Sequence, residues 1–288
     1  MTNLEEEINS TQYIENLIGE KNVKEMVLNQ QDKLINSIKI GFKTLFCSKK
    51  WLIYVALAVM FLPVIILNEI DNEAGSIRFI HPDETFVDIV FGMLFPILFI
   101  FGCLLVSLPL SADEISDHST ELYLVKPIKR EVYWLSRWIV INVSVYCVNI
   151  IIYFVYFLFV HAFAEKGAFA GIGENLDVFG GVAIFLLLAT LIYSGTFLLV
   201  GMIGNQGLLL SFILAIFELF IISMLFMSDS PYIPQNNLYE IANAILPDHV
   251  DFDTPKDLKL WFAQVYVTIF PIVIIALGAF YLRMREFK

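Results

Sequence analysis

Along this 288-residue chain, polar and charged segments alternate with long apolar runs. The runs are Trp51–Leu67, Phe86–Leu110, Trp138–Phe163, Gly180–Ile203, Leu208–Met227 and Phe262–Leu282. A helix crossing the hydrocarbon layer of a bilayer needs about 20 mostly apolar residues, so each run predicts a membrane-spanning helix. The run Ile150–Val155 is apolar at every position and lacks the alternation of a membrane β-barrel strand. The pattern predicts an all-α polytopic membrane protein with six transmembrane helices. The first run lies too far from Met1, and has no small-residue cleavage site, to be a secretory signal peptide.

The segments between the runs carry patterns of their own. In residues 33–50, Leu34, Ile35, Ile38, Phe42, Leu45 and Phe46 recur at steps of three and four, with Lys33, Ser37, Lys39, Lys43 and Lys50 largely off that face. An apolar stripe beside lysines predicts an elbow helix lying among anionic headgroups, turning into the first span at Lys49-Lys50-Trp51. Residues 1–32 are acidic and Asn/Gln-rich, with Leu4, Ile8, Ile14, Leu17 and Ile18 loosely helix-spaced. They read either as a frayed head or as a helix docking on a cytoplasmic partner. The division is therefore 1–32, an interfacial helix 33–50, and a transmembrane domain 51–288. In Ser111–Arg137, a polar stretch through Glu121 is followed by Leu122–Val125 and then by Lys126-Pro127-Ile128-Lys129-Arg130. Proline is favoured at a helix's first position, where its missing N–H is not needed. That predicts a short helix ending near Lys126 and a new one starting at Pro127. Further on, Leu238, Ile241, Ala242, Ile245 and Leu246 mark one face of a short helix ended by Pro247.

Composition sharpens the class. The chain is 58% apolar and 15% aromatic, with mean hydropathy +0.73. Only 16% of residues are charged, against about a quarter in soluble domains, which with the apolar fraction excludes a disordered chain and weighs strongly against a water-soluble globule. The net charge of −11 is unevenly placed. Basic residues gather before the first span (Lys33, Lys39, Lys43, Lys49, Lys50), between the second and third (Lys126, Lys129, Arg130, Arg137) and in the tail (Arg283, Arg285, Lys288). The acidic excess falls on the other three connections, 68–88, 164–179 and 228–261. Basic residues flanking spans stay inside, so both termini are expected to be cytoplasmic in a multi-pass protein of the cell membrane.

Candidate chemistry is sparse. No G-x-x-x-x-G-K-[ST] cradle for ATP phosphates occurs, and His81, His118, His161 and His249 are scattered. Cys47, Cys103 and Cys147 give neither a disulfide framework nor a pair at metal-ligand spacing. The expectation is no enzyme and no cofactor or metal in this chain. Glu218, near the middle of the fifth run, is costly there. It lies either on a substrate path or subunit interface, or is a protonated carboxyl bonded to a neighbouring backbone. Asn142 and Asn149 are more often contacts between helices than ligands, with Asn149 also a candidate for the pathway or interface. Gly201–Gly207 joins the fourth and fifth runs in a tight reversal.

The order Glu114-Ile115, then Ser119-Thr120-Glu121-Leu122-Tyr123-Leu124-Val125-Lys126-Pro127-Ile128-Lys129-Arg130, resembles the first cytoplasmic link of type-2 ATP-binding-cassette (ABC) transporter permeases. The family's usual glycine is absent, with His118 and Ser119 in its neighbourhood. The resemblance covers about residues 33–288 through the number of spans, the cytoplasmic termini and the elbow helix. It implies a permease subunit of an ATP-driven exporter, paired as a homodimer or with another permease. ATP and Mg would be bound by a separate cytoplasmic ABC ATPase chain, and the lipid bilayer, with no nucleic acid, completes the partners. ATPase coupling would then fall to Glu114, Ser119, Thr120, Glu121, Leu122, Leu124, Lys126, Pro127, Lys129 and Arg130. The resemblance further implies that the short helices in 228–261 cap the exit path. The alternative from another class is a non-transporting membrane anchor or scaffold for a cytoplasmic partner.

Overall fold

The computed structural model describes residues 32–68, 81–111, 113–114, 129–163, 169, 171–203, 206–217, 232–247, 249–250, 252, 254 and 258–284. Among the described residues, all regular structure is helical. Four helices are long and apolar enough to cross a membrane: Pro82–Leu110, Arg130–Ala162, Leu176–Gly201 and Leu260–Met284. A bent pair at the start of the described chain raises the number to five if it counts as one span. The six expected spans are thus met by four or five. The run 208–227 is described only as far as 217, and residues 1–31 lie outside the described residues.

The bent pair is α1 (Asp32–Cys47) and α2 (Lys50–Asn68), which meet at 54°. Ser48 makes the break. Its N–H reaches the Thr44 and Leu45 carbonyls at 3.1 Å and closes α1, while its hydroxyl accepts from the Lys50 N–H at 3.3 Å and starts α2. The inward face of α1 is Ser37, Gly41 and Leu45, not the full expected stripe. Ile35 and Phe46 stay exposed and Leu34, Ile38 and Phe42 are half-buried.

The next long helix has three parts. α3 (Pro82–Ile89) opens with Pro82 in its first turn and Asp83 and Glu84 at its positive end, a favourable charge placement. A π-helical segment, Val90–Phe99, follows and contains Pro96. In an α register the Pro96 ring would press on the Gly92 carbonyl, and the wider π turn relieves that clash. α4 (Ile100–Ser107) then runs into a 3-10 turn at Leu108–Leu110. Phe91, Phe95 and Phe99 turn inward from the π segment. Phe91 and Phe95 meet Phe185 edge-on at 4.8 and 4.7 Å between ring centroids, a favoured aromatic geometry.

α5 (Arg130–Ala162) spans 33 residues and α6 (Leu176–Gly201) spans 26. α5 does not begin at Pro127. Lys129 has extended backbone, φ −63° and ψ 136°, so the first helical residue is Arg130. α7 (Gly207–Ile216), α8 (Pro234–Ile245) and α9 (Leu260–Met284) complete the described elements. α6 is central, packing against α4, α5, α7, α8 and α9, while α2 lies on α4 and α5. The short α8 buries Leu238, Ile241 and Ala242 as its pattern predicts. Asn243 then fixes the chain after it by exchanging hydrogen bonds with Phe252, 3.0 Å from its amide to the carbonyl and 2.9 Å in return.

Candidate functional site

The densest buried polar group lies where α1, the end of the α4 helix and the start of α5 meet. Glu114 and Arg137 are 3% and 0% exposed. Arg137 approaches the carboxylate two-pronged, Nε donating to Oε2 at 2.9 Å and Nη2 pairing with Oε1 at 2.8 Å. A planar guanidinium suits this fork, which fixes direction as well as charge. The Tyr133 hydroxyl donates to the same Oε2, and the Tyr133 ring lies under the guanidinium with Arg137 Cζ 4.8 Å from its centroid. Tyr133 and Arg137 are four residues apart, hence neighbours on one helical face. Burial pushes the Glu114 carboxyl above the usual carboxylate range, while the Arg137 charge and the Tyr133 hydrogen bond oppose it.

The third nitrogen of the guanidinium crosses to α1. Nη1 donates to the Ser37 carbonyl at 3.2 Å. Beside it, the Ser136 hydroxyl donates to the Tyr133 carbonyl at 2.6 Å, so it accepts from the Ser37 hydroxyl, also at 2.6 Å. Gly41, one turn after Ser37, lets the two helices approach: a Cβ there would lie 2.8 Å from Arg137 Nη1 and 3.0 Å from Val140 Cγ2. A second, half-exposed ion pair ties the start of α2 to the residue before Glu114, Lys50 Nζ lying 2.6 Å from Asp113.

The residues assigned by sequence fall into groups. Ser119, Thr120, Glu121, Leu122, Leu124, Lys126 and Pro127 lie outside the described residues, and so does Glu218. Glu114 points inward into the ion pair. Lys129 is exposed. Arg130 turns to α9, donating through Nη1 to the carbonyls of Leu282 at 3.1 Å and Arg283 at 3.2 Å. A cation there meets the negative end of the helix and fills carbonyls left without helical partners. Asn149 is fully buried within the chain. It accepts from the Tyr54 hydroxyl and donates to the Val145 carbonyl at 2.8 Å, joining α2 to α5. Asn142 does the same for α5 and α6, accepting from the Ser194 hydroxyl at 2.8 Å.

In the sequence Arg137 reads only as a basic residue beside a span, and nothing there marks Tyr133, Ser37 or Gly41 as its partners. The available signal is weak: an arginine at the edge of an apolar run, with a tyrosine one turn before it. No family model, no curated protein and no solved structure matches the chain.

Proposed function

We propose that this chain is the transmembrane permease subunit of an ATP-driven ABC transporter of the export type, paired into a dimer and driven by a separate cytoplasmic ATPase. The observation that carries it is the motif order from Glu114 to Arg130, placed between two helices of membrane-crossing length. The bend between α1 and the first apolar run, carried by α2, supports the same reading, with α1 as the elbow helix. The positive-inside bias puts the Arg130 and Glu114 end in the cytoplasm, both termini with it, and the acidic connections outside. Six spans follow if the bent pair and the run 208–227 each cross once.

In this reading ATP and Mg sit on the partner chain, and its closure presses on the Ser111–Arg130 link between two spans. Glu114 and Arg130 hold the ends of that link, one to Arg137 and the other to the end of α9. Such a push switches the pathway only if ATP binding makes better contacts in one state than in the other. Glu218 is assigned to the pathway or to the contact between copies. Asn149, engaged with Tyr54, is assigned to holding α2 on α5.

The test is isolation of the tagged protein from its native membranes in mild detergent. An associated chain with Walker A and ABC signature sequences should copurify, and ATP hydrolysis by the reconstituted complex should respond to the permease. Lys129→Glu or Leu124→Pro should leave the complex assembled but uncouple hydrolysis from transport. A stable, folded protein that carries no such ATPase, or coupling unchanged in both variants, overturns the proposal and favours an anchor or scaffold.

A further inference from the structure

The helix α1 has an unusual relation to the rest of the protein. Its inward face offers a serine, a glycine and a leucine, which is little apolar surface for a helix of its length. Two of its larger apolar side chains point elsewhere: Ile35 is 50% exposed and Phe46 is 55% exposed. Leu45 enters the core and Ile38 and Phe42 pack partly against it, while the contacts that tie α1 to α5 at Ser37 are polar. The Ser37 carbonyl accepts from Arg137 Nη1, the Ser37 hydroxyl bonds Ser136, and Gly41 makes room for the guanidinium.

The group that grips α1 is itself held from another side. Arg137 presents Nη1 to Ser37 with Nε and Nη2 held on Glu114, and the rigid, planar guanidinium couples the two sets of contacts. Glu114 belongs to neither α1 nor α5; it lies just beyond the end of the Pro82–Leu110 helix. A shift of that helix end therefore changes the direction of the guanidinium, and with it the bond to α1. A hydrogen bond from a charged donor in a buried place is worth more than one at the surface, so its loss is felt.

We infer that α1 is a docking element with two positions, latched to the bundle by Arg137, and that Glu114 is the positioning residue that sets the latch. With the Glu114 pair closed, α1 is drawn onto α5 at Ser37 and Gly41. When Glu114 is pulled away, the guanidinium turns with it or loses its fork, and α1 is left with Leu45 and its flanking side chains as anchors. Its exposed apolar residues and Lys39 and Lys43 suit a membrane surface, where the released helix can remain. The device reports the position of the α4 helix end to the helix before the first span. It rests on these contacts alone and stands whether or not the chain serves a transporter.

A disulfide reads docking directly. In a background of Cys47→Ser, Cys103→Ala and Cys147→Ser, the pair Ser37→Cys and Ser136→Cys replaces the two hydroxyls that touch. In membranes, with copper-catalysed air oxidation, this pair should cross-link readily. Adding Glu114→Leu with Arg137→Met removes the latch without leaving a buried charge, and should slow cross-linking about tenfold or more, the loss of one charge-assisted bond. Gly41→Ala should also slow it, since its methyl group would meet Arg137 Nη1 and Val140 Cγ2 and force α1 away from α5. Elution volume and thermal unfolding of each variant separate release of α1 from misfolding. Failure of the parent pair to cross-link overturns the inference, as does undiminished cross-linking in Gly41→Ala or in the folded double variant.

Discussion

The Arg137 guanidinium holds the Glu114 carboxylate by contacts of 2.8 and 2.9 Å, with both side chains out of solvent. An ion pair of this kind is costly to assemble and more costly to break. Taking two charges out of water offsets much of their attraction, but removing one partner leaves the other uncompensated.

The variants should therefore rank unequally. Arg137→Met leaves the buried Glu114 carboxylate without its counter-charge, and about 3–5 kcal/mol of stability should be lost. Glu114→Gln should cost less, because the amide oxygen still accepts from Tyr133 and Arg137. The pairing of Glu114→Leu with Arg137→Met should recover most of what Arg137→Met loses. Thermal unfolding of the three purified proteins checks the order, and a double variant no more stable than Arg137→Met contradicts it.

Arg130 works at the far end of the same region, where its Nη1 meets the carbonyls of Leu282 and Arg283 at the end of α9. Arg130→Gln removes a cation from that negative helix end, worth about 0.3–1 kcal/mol at an exposed site. Global stability should barely move, while amide exchange over the last turn of α9 accelerates. Unchanged exchange there would remove Arg130 from the role of a cap.

How much of this was legible depended on the distance over which each residue is satisfied. The membrane-length helices were readable because run length and apolarity are local properties. α5 starts ahead of the apolar run at Trp138, as Pro127 suggests, but at Arg130 rather than at the proline, and its polar first turns are satisfied by Glu114 and by the end of α9. Nothing in the periodicity around Arg137 announces a partner before the link. The stripe on α1 was visible, but its inward direction was set by Ser37 and Gly41, a choice made by the guanidinium rather than by apolar spacing. Pro96 stands in an apolar run that looks continuous in the sequence, whereas the π register around it is a backbone adjustment that run length and apolarity do not encode.

Deep in the bundle, Tyr54 and Asn149 tie α2 to α5. Tyr54→Phe leaves the Asn149 oxygen without that donor in an apolar setting. Hydrogen bonds between membrane helices average about 0.6 kcal/mol and reach about 1.7, so the loss should fall in that interval. Asn149→Leu should cost a similar amount, and the double variant should cost less than the sum of the two. Additive losses would show that the pair does not act as a unit.

Trp134 and Gly278 test the packing of α5 on α9. The indole lies close enough to the glycine that a Cβ at 278 would fall 2.0 Å from Cε2 and Cζ2, and Nε1 donates to the Ile275 carbonyl at 2.9 Å. Gly278→Ala therefore cannot be absorbed by a small shift. Either the ring leaves its place and gives up the Ile275 bond, or the two helices separate. Overpacking of this kind costs about 1–3 kcal/mol. In a background where Trp134 is the sole tryptophan, its emission should move to longer wavelength in Gly278→Ala, because the ring is wholly buried in the parent protein. Adding Trp134→Phe should restore part of the stability by making room for the methyl group, though not all, since the indole N–H is lost with the ring. An unshifted spectrum with unchanged stability would mean that α9 does not press on Trp134 in this way.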